Sequence, residues 1–501
     1  MKKNIFYHST RGSKEKKNSS EAIVYGIADD GGLFIPTKIP KLKIDFSQLK
    51  EFNYHELSYQ IMKEYLTDFS EKDLRDCINK AYDHKFDTDV IVPLKKKMGI
   101  YFLELYHGPT LAFKDMALSI LPYLLQVALK KLNLNKQVVI LTATSGDTGK
   151  AALAGFANVP GTRVIVFFPQ DGVSTIQERQ MLTQAGENTH VIGILGNFDD
   201  AQRGVKEIFN NRLFGEMIQK NNFILSSANS INIGRLIPQI VYYFYAYLDL
   251  VKKGEIFQGE KINFVVPTGN FGNILAAYYA KEMGLPVKKL ICASNENKVL
   301  TDFFKKGIYD RRRQLKMTIS PSMDILVSSN LERLLSIISH NNANQINAMI
   351  SGLNKKGFYQ INSTYRKNLS SFYGECASQE ETLIGIKKVF DASNYLIDPH
   401  TAVGYAVYQK YLSETRDNTH TIIVATASPF KFTKSVMSAI DKKYEKMNEF
   451  KLIEKMADLS RISIPAEIRN IEKKPILHSI VCRKDKMKEK LHEILFTERK
   501  N

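Results

Sequence analysis

Short apolar runs rich in Val, Ile and Phe alternate with helical patterns between residues 101 and 428. Continuous runs of this kind are typical of strands that are covered on both faces, as in parallel sheets. Their alternation with helices, one of which opens with the capping box Ser174-Thr-Ile-Gln177, predicts an α/β protein with mostly parallel sheets flanked by helices. The predicted strands are Tyr101–Leu105, Gln137–Thr144, Arg163–Phe168, His190–Leu195, Phe223–Ser227, Ile262–Pro267, Lys289–Ala293 and Thr421–Thr426.

The two ends of the chain have a different pattern. Residues 1–95 show mixed short helices, a Gly31-Gly32 turn and no phosphate-binding loop, which predicts a separate N-terminal domain. Residues 96–440 form the predicted catalytic region, with a smaller sheet domain at about residues 112–225 and a larger one in the remainder. Residues 441–501 are predicted to be a helical C-terminal extension, while the pattern of residues 300–380 assigns no fold.

Composition narrows the class of protein. The 501 residues are 44% hydrophobic and 24% charged, as expected of a soluble protein of several domains. No run reaches the roughly 18–20 apolar residues that span a bilayer, and the N-terminus has no apolar signal segment. Cys77, Cys292, Cys376 and Cys482 are far apart and lack metal-ligand spacing. We therefore predict a reduced, cytoplasmic protein with neither a membrane segment nor a metal site.

The net charge of +18 raises the question of nucleic-acid binding. A nucleic-acid surface concentrates Lys and Arg in one stripe with aromatic or base-reading groups. Here the lysines are spread along the chain among Asn and Ile, so we expect no nucleic-acid partner. A basic RNA-binding protein is the outside alternative, and a steep loss of affinity with salt would reveal it.

One lysine stands in a setting that suits covalent chemistry. Lys114 belongs to His107-Gly-Pro-Thr-Leu-Ala-Phe-Lys-Asp115, a turn that follows the first predicted strand. Two glycine loops, Ser145-Gly-Asp-Thr-Gly149 and Thr268-Gly-Asn-Phe-Gly-Asn273, each lie between a strand and a helix, where backbone N–H groups and the helix dipole favour an anion. A reactive lysine beside an anion cradle fits pyridoxal 5′-phosphate, an aldehyde cofactor that carries a phosphate.

The loop at residues 268–273 is the candidate for the cofactor phosphate. It lacks the Gly-Lys-Ser/Thr of a Walker loop and the first glycine of a dinucleotide fingerprint. Gly269 and Gly272 let backbone N–H groups turn towards an oxyanion, and we expect a side chain at Gly272 to crowd the loop. The loop at residues 145–149 is a candidate for holding the substrate carboxylate or the phenolic oxygen of the cofactor.

Further motifs accompany the lysine motif and the two glycine loops along the chain: Tyr7-His-Ser-Thr-Arg11, Asp29-Asp-Gly-Gly-Leu-Phe-Ile-Pro36, Asn229-Ser-Ile-Asn-Ile-Gly-Arg235 and Ala425-Thr-Ala-Ser-Pro-Phe-Lys431. Taken together, and in this order over most of the chain, these segments resemble the threonine synthase family of fold type II pyridoxal-phosphate enzymes. Ser428 stands where that family usually has histidine, so no proton-transfer role is assigned to this position.

The resemblance implies two open, mostly parallel sheets around a covalently bound cofactor, with an N-terminal domain and a helical C-terminal extension. Lys114 is implied to form the Schiff base and to move protons, and Thr426 to lie against the pyridine nitrogen. The implied ligands of the cofactor phosphate are the N–H groups of Gly269, Asn270, Phe271, Gly272 and Asn273. The candidate substrate-binding residues are Thr110, Ser145, Asp147, Thr148, Asn229, Ser230, Asn232 and Arg235.

The implied reaction is the last step of threonine biosynthesis, in which a carbon–oxygen lyase converts O-phospho-L-homoserine and water to L-threonine and phosphate. The implied enzyme is a monomer or homodimer. One alternative is another fold type II lyase, such as a serine or threonine dehydratase, which binds no substrate phosphate; the donors of Asn229–Arg235 argue against it. A second alternative is a relative that keeps the fold without the activity, and the presence of Lys114 argues against that.

Overall fold

The computed structural model describes residues 4–170 and 172–496. The strands in chain order are β1 (Tyr7–Ser9), β2 (Phe34–Pro36), β3 (Leu94–Lys97), β4 (Ile100–Glu104), β5 (Gln137–Ala143), β6 (Thr162–Pro169), β7 (Thr189–Leu195), β8 (Phe223–Ser226), β9 (Ile262–Pro267), β10 (Val287–Ser294), β11 (Ile308–Asp310), β12 (Phe358–Gln360), β13 (Phe372–Cys376), β14 (Thr421–Ala425) and β15 (Ile480–Arg483).

Helices connect most of these strands. In chain order they are α1 (Ser19–Tyr25), α2 (Phe46–Leu49), α3 (Tyr54–Met62), α4 (Glu71–Ala81), α5 (Asp115–Leu118), α6 (Leu121–Lys131), α7 (Asp147–Phe156), α8 (Thr175–Leu182), α9 (Phe198–Asn210), α10 (Arg212–Lys220), α11 (Ile233–Lys252), α12 (Gly272–Met283), α13 (Val299–Lys306), α14 (Leu331–Ile338), α15 (Ala343–Lys356), α16 (Ser363–Lys367), α17 (Gln379–Ser393), α18 (Pro399–Thr415), α19 (Thr433–Ile440), α20 (Glu449–Ser460) and α21 (Met487–Phe496). Short 3₁₀ helices lie at Pro321–Met323, Pro429–Phe432, Lys442–Tyr444, Ile471–Lys473 and Lys484–Lys486.

The larger sheet has the strand order β13-β10-β9-β14-β4-β3. Its neighbours are parallel except for the edge pair, β3 and β4, which is antiparallel. The boundary that the sequence places at residue 95 therefore falls inside β3. The segment that joins the N-terminal region to the catalytic region ends in β3, which is the edge strand of the larger sheet.

The smaller sheet has the order β15-β7-β6-β5-β8, and all its neighbours are parallel. Its edge strand β15 comes from the C-terminal extension, for which the sequence predicted helices alone. The register pairs Ile480 with Ile192 and Arg483 with Leu195. The four-residue strand is stabilised by hydrogen bonds to β7, a partner almost 300 residues earlier in the chain. The local sequence pattern therefore gives little indication of this strand.

The predicted strands are confirmed to within a residue or two, and the capping box at Ser174 opens α8 as expected. The segment after Lys114 forms two helices, α5 and α6. Residues 300–380, which the sequence left unassigned, contain α13 to α16, the antiparallel pair β11–β12 and the strand β13 of the larger sheet.

A continuous apolar core joins the N-terminal region to both sheets. Helix α11 lies at its centre and is buried on nearly all sides, where it packs against α3, α5 and α12. Asn232 caps this helix by accepting a hydrogen bond from the N–H of Gly234. None of the helices within residues 4–170 and 172–496 is both long and apolar enough to cross a membrane.

Candidate active site

A cleft opens where the carboxyl ends of β4, β5, β9 and β14 meet, as expected for an α/β sheet. The loops that follow these strands carry Lys114, both glycine loops and Thr426 to one place. The residues that line the cleft are Phe113, Lys114, Ala143, Thr144, Ser145, Asp147, Thr148, Phe198, Gln202, Asn229, Ser230, Arg235, Gln239, Pro267, Thr268, Gly269, Asn270, Phe271, Gly272, Asn273, Pro321, Ser322, Met323, Asp324, Ile325, His400, Thr426 and Ala427.

Lys114 immediately precedes α5 and is buried in this cleft. Its Nζ lies 3.3 Å from Oδ2 of Asp147 and 3.4 Å from Oγ of Ser322. Burial lowers the pKa of the Lys114 amine, an effect that Asp147 opposes and that Lys431 and Arg235 reinforce. A lysine with a lowered pKa more readily provides the neutral amine that attacks a carbonyl carbon.

Asp147 begins α7 and connects the cationic groups of the site. Its Oδ1 accepts from Nε2 of Gln177 at 2.7 Å and lies 2.8 Å from Nζ of Lys431, while its Oδ2 faces Lys114 and Ser322. Burial favours the neutral carboxyl, but the cations of Lys431 and Lys114 outweigh it and hold the pKa of Asp147 well below its usual range. The carboxylate is therefore ionised at neutral pH.

The loop at residues 268–273 has the geometry of an anion cradle. Phe271 adopts a left-handed backbone conformation with φ of 65°, which is uncommon for a residue with a bulky side chain and is typical of functional loops. Helix α12 begins directly after it without a side-chain cap, so the N–H groups of its first turn have no partner within the helix. These donors and the positive end of the helix dipole face the cleft.

The loop is crowded at Gly269, not at Gly272 as the sequence suggested. A Cβ at Gly269 would overlap with the carbonyl oxygen of Ser322, whereas a Cβ at Gly272 would meet Asn330 and Ser230 at an ordinary 3.5 Å. We expect Gly269→Ala to displace the Ser322 segment and to lower the affinity for pyridoxal phosphate by roughly 5- to 150-fold, because this overlap costs about 1–3 kcal/mol. Gly272→Ala is the matched control and should keep near-native affinity in a fluorescence titration. Equal affinities for the two variants would contradict the assignment.

Arg235 provides a buried cation without an acidic partner. The side chain is 3% exposed and, within the described residues, forms no ion pair. Its Nη1 donates to the carbonyl oxygen of Ala228 at 2.7 Å, and its Nε has no hydrogen-bond partner. Burial lowers the pKa of Arg235 to about 10, which leaves it charged. Asn229, also in the cleft, has an unpartnered Oδ1.

Two of the predicted substrate-binding residues lie outside the cleft lining. Thr110 is fully buried, where its N–H and Oγ1 donate to Asp115 at 2.8 and 2.5 Å. Asn232 caps α11 and donates to the carbonyl oxygen of Ile23 at 3.0 Å. Both residues therefore stabilise the backbone beside the cleft, and their contact with substrate stays a prediction. The other candidate site residues lie in the cleft.

Ser428 also has a structural role. Its backbone N–H donates to the carbonyl oxygen of Leu111, and its Oγ accepts from the N–H of Phe430. It thereby caps the 3₁₀ helix Pro429–Phe432, and it does not line the cleft. The departure from the family pattern at this position leaves the cleft intact.

Three groups at the site were missed by sequence reasoning. Ser322 reaches Lys114 and Asp147 from the segment that the sequence left unassigned. His400, at the start of α18, accepts from the N–H of Ser322 at its Nε2 and donates from its Nδ1 to Asp398, a tautomer assigned from these partners. Lys431, the last residue of the C-terminal motif, contacts Asp147. In the local sequence, Asp398-Pro-His400 resembles a helix cap and so predicts the start of α18. The residues around these three groups do not predict that they lie close to Lys114.

His107 stabilises the turn that leads to Lys114. Its Nδ1 lies 2.6 Å from Oδ1 of Asp87 and its Nε2 3.0 Å from Oε2 of Glu104. Burial alone would lower the pKa of His107, but the two carboxylates raise it to about 9. Both ring nitrogens therefore donate at neutral pH, and the cation ties β4 to the segment before β3.

The His107 cation makes stability depend on pH in a defined direction. Because its pKa is raised in the folded state from 6.5 to about 9, its contribution is complete below pH 6.5 and is lost as pH rises through 9. We expect the free energy of unfolding of wild type to exceed that of His107→Gln by about 2 kcal/mol at pH 6, a value reduced because solvent screens the half-exposed Asp87. This difference should shrink by about pH 9.5. Thermal unfolding at the two pH values measures this. His84→Gln, at a side chain that is 95% exposed, is the control. If wild type and His107→Gln differ in stability by the same amount at both pH values, the proposed role of the His107 cation is wrong.

Comparisons with known proteins agree with this geometry. The chain matches the families described as "Threonine synthase N terminus" over residues 6–82, "Pyridoxal-phosphate dependent enzyme" over residues 90–427 and "Threonine synthase, C-terminal" over residues 401–476. Threonine synthase-like 1 of Macaca fascicularis is 40% identical over 444 residues, which are 86% of this chain. The chain spans 58% of the length of that relative.

Two further relatives match along nearly their whole length. Threonine synthase of Saccharomyces cerevisiae is 38% identical over 465 residues, covering 87% of this chain and 89% of the yeast protein. The crystal structure of pyridoxal-phosphate-bound threonine synthase from Brucella melitensis is 32% identical, with a TM-score of 0.85 over 99% of this chain and 100% of that one. The chain therefore belongs to the threonine synthase family of pyridoxal-phosphate-dependent enzymes.

Proposed function

We propose that this protein converts O-phospho-L-homoserine and water to L-threonine and phosphate, the last step of threonine biosynthesis, with pyridoxal 5′-phosphate attached to Lys114. The observation that carries the proposal is Arg235, a buried cation that faces the cleft with an unpartnered Nε and no acidic partner among the described residues. A buried charge left in this state indicates that an anion completes the site.

The charge around the cleft supports two anionic ligands. Lys114 and Arg235 line the cleft and Lys431 contacts Asp147 from outside the lining, so three buried basic groups surround it, whereas Asp147 is the ionised carboxylate that contacts two of them. Burial raises the pKa of Asp324, the other carboxyl group of the lining. An excess of positive charge in a buried cleft is stabilised by phosphates, and both the proposed cofactor and the proposed substrate carry one.

The residues present fit pyridoxal phosphate. The N–H groups of 269–273 and the uncapped start of α12 suit its phosphate, and the hydroxyl group of Thr426 is the candidate partner of its ring nitrogen. Lys114 suits the covalent bond. When bound, the cofactor supplies an electron sink that stabilises carbanions at Cα and Cβ of the substrate.

The remaining cleft residues suit the substrate. Ser145 and Thr148, beside the N-terminus of α7, are proposed to bind its carboxylate. Arg235, Asn229 and Ser230 are proposed to bind the phosphate and to stabilise its charge as it leaves from Cγ. The Lys114 amine is proposed to remove the proton from Cα and to return one there after water has added at Cβ. The fully buried neighbours of Asp147 exclude bulk water from the amine.

Further support comes from the relatives, two of which are named threonine synthase. We propose a cytoplasmic protein that acts as a monomer or homodimer on this small-molecule substrate, without a nucleic-acid or membrane partner. A lysine-rich composition spread over the whole chain supports the absence of a nucleic-acid surface.

Product analysis tests the proposal. The purified protein with pyridoxal phosphate should release phosphate from O-phospho-L-homoserine and form threonine in equal amounts. Phosphate release with 2-oxobutanoate and ammonia in place of threonine would indicate elimination without addition of water at Cβ, with water hydrolysing the C–N bond instead. Turnover of serine or threonine without phosphohomoserine turnover would favour the dehydratase alternative.

A further inference from the structure

The two carboxylate oxygens of Asp147 have contacts of different length, and this difference indicates a role for Lys431. Oδ1 has two close donors, Nε2 of Gln177 at 2.7 Å and Nζ of Lys431 at 2.8 Å. Oδ2 has only the longer contacts to Nζ of Lys114 at 3.3 Å and Oγ of Ser322 at 3.3 Å. The carboxylate is therefore satisfied mainly by groups that cannot reach a ligand in the cleft.

Lys431 is held firmly where it meets Asp147. Its side chain is fully buried, and its Nζ also donates to the carbonyl oxygen of Thr110 at 2.7 Å. Ser428 caps the 3₁₀ helix that carries Lys431, and Thr110 is fixed in turn by Asp115. The cation thus joins the segment after β14 to the turn before Lys114.

We propose that Lys431 is a positioning residue: as the fixed counter-cation of Asp147, it prevents Asp147 from binding Lys114 in a close ion pair and so keeps the Lys114 amine free to react. This inference rests on the proposed attachment of pyridoxal phosphate at Lys114. In that step the Lys114 nitrogen attacks the aldehyde carbon, and both amine protons leave with the carbonyl oxygen as water.

The surroundings of the pair support this role. An aspartate alone beside Lys114 would favour the protonated amine, which cannot attack a carbonyl carbon. Lys431 opposes that effect twice, because it occupies Oδ1 of Asp147 and because it is a like charge close to Lys114. The other titratable or charged groups that act on these three residues from neighbouring elements are Asp115, Lys150, Arg235 and His400.

The test measures attachment of the cofactor, not turnover. Full-length protein is freed of cofactor, and the rate at which pyridoxal phosphate attaches is followed by absorbance between pH 6 and pH 10. Borohydride reduction and peptide mapping identify the modified lysine. Lys431→Met removes the cation with little change in shape, and Lys431→Gln removes the charge but keeps hydrogen-bond donors. Lys434→Met, at an exposed lysine of the following helix, is the control.

We expect both Lys431 variants to move the pH midpoint of attachment upwards by about one unit and to slow attachment at pH values below the midpoint about tenfold. Asp147→Asn combined with Lys431→Met should return the midpoint towards the wild-type value, because the competing carboxylate is also gone. Lys434→Met should match wild type.

If the pH midpoint of attachment in Lys431→Gln equals that of wild type, the proposal is overturned and Lys431 has a purely structural role. Lys431→Gln alone is the test if Lys431→Met does not fold. Failure of the proposed function has a different signature. In that case the wild-type protein itself does not attach pyridoxal phosphate at Lys114.

Discussion

Replacement of Lys114 with alanine is expected to abolish turnover and covalent attachment of pyridoxal phosphate. Lys114 is the lysine of the cleft lining, and its amine has a lowered pKa and lies beside the proposed phosphate cradle. Without it the site retains no nitrogen for the covalent bond and no group placed to move the Cα proton, so the rate should fall by at least about 1,000-fold. Mass spectrometry after borohydride reduction should place the pyridoxyl group of wild type on Lys114 and find none in the variant.

The variant should still fold. Asp147 keeps Lys431 and Gln177 as partners, so removal of Lys114 leaves no unpaired buried carboxylate. Circular dichroism and the thermal midpoint check this point. A pyridoxyl adduct on Lys431 of the wild-type protein would show that the two buried lysines had been assigned the wrong roles.

The second large effect is expected at Arg235. Arg235→Leu should lower kcat/KM for O-phospho-L-homoserine by roughly two orders of magnitude, equivalent to about 3 kcal/mol for a lost charge-assisted contact with phosphate. Arg235→Lys should recover only part of this, because an ammonium group cannot donate in the planar, bidentate manner of a guanidinium group. Attachment of pyridoxal phosphate should be nearly unchanged, since its phosphate is assigned to the other loop.

Stability separates a substrate-binding arginine from a structural one. Among the described residues Arg235 forms no ion pair and its Nη1 donates only to the carbonyl oxygen of Ala228, so Arg235→Leu should change the thermal midpoint little or raise it. Arg333 is equally buried, but it donates to carbonyl oxygens of Phe34 and Ile231 and to Asn330. Arg333→Leu should therefore lower the thermal midpoint, because three acceptors lose their donor. Full phosphate release by Arg235→Leu would place the substrate phosphate elsewhere and would favour the dehydratase alternative.

Local sequence predicted the α/β class, most of the central strands and the loops at their carboxyl ends. Strands such as Ile262–Pro267 are continuous apolar runs because both faces of the sheet are covered, and this pattern is readable without any knowledge of the partners. The glycine loops could be recognised for the same reason. Their glycines and their place between a strand and a helix are visible locally, although only the structure showed that the crowded position is Gly269 and not Gly272.

Strand β15, by contrast, could not be predicted from sequence. Ile480–Arg483 is short, and its partner lies in β7. Segment 318–324 presents the same difficulty, because its conformation depends on the buried carboxylate of Asp324, which accepts hydrogen bonds from Asn295, Asn297 and Thr318. Polar contacts between residues distant in sequence leave no periodic pattern in either segment.

The sequence by itself determined the class of fold and the resemblance to a family, and it predicted the reactive lysine and the phosphate loop, because each depends on residue types within a short segment. Only the tertiary structure decided which charges meet. It brought Ser322 and Lys431 to Asp147, assigned Thr110 to a turn and left Arg235 without an acidic partner. Electrostatic interactions act through space over a few ångströms, so the pKa of the Lys114 amine depends on residues as distant in the chain as Lys431.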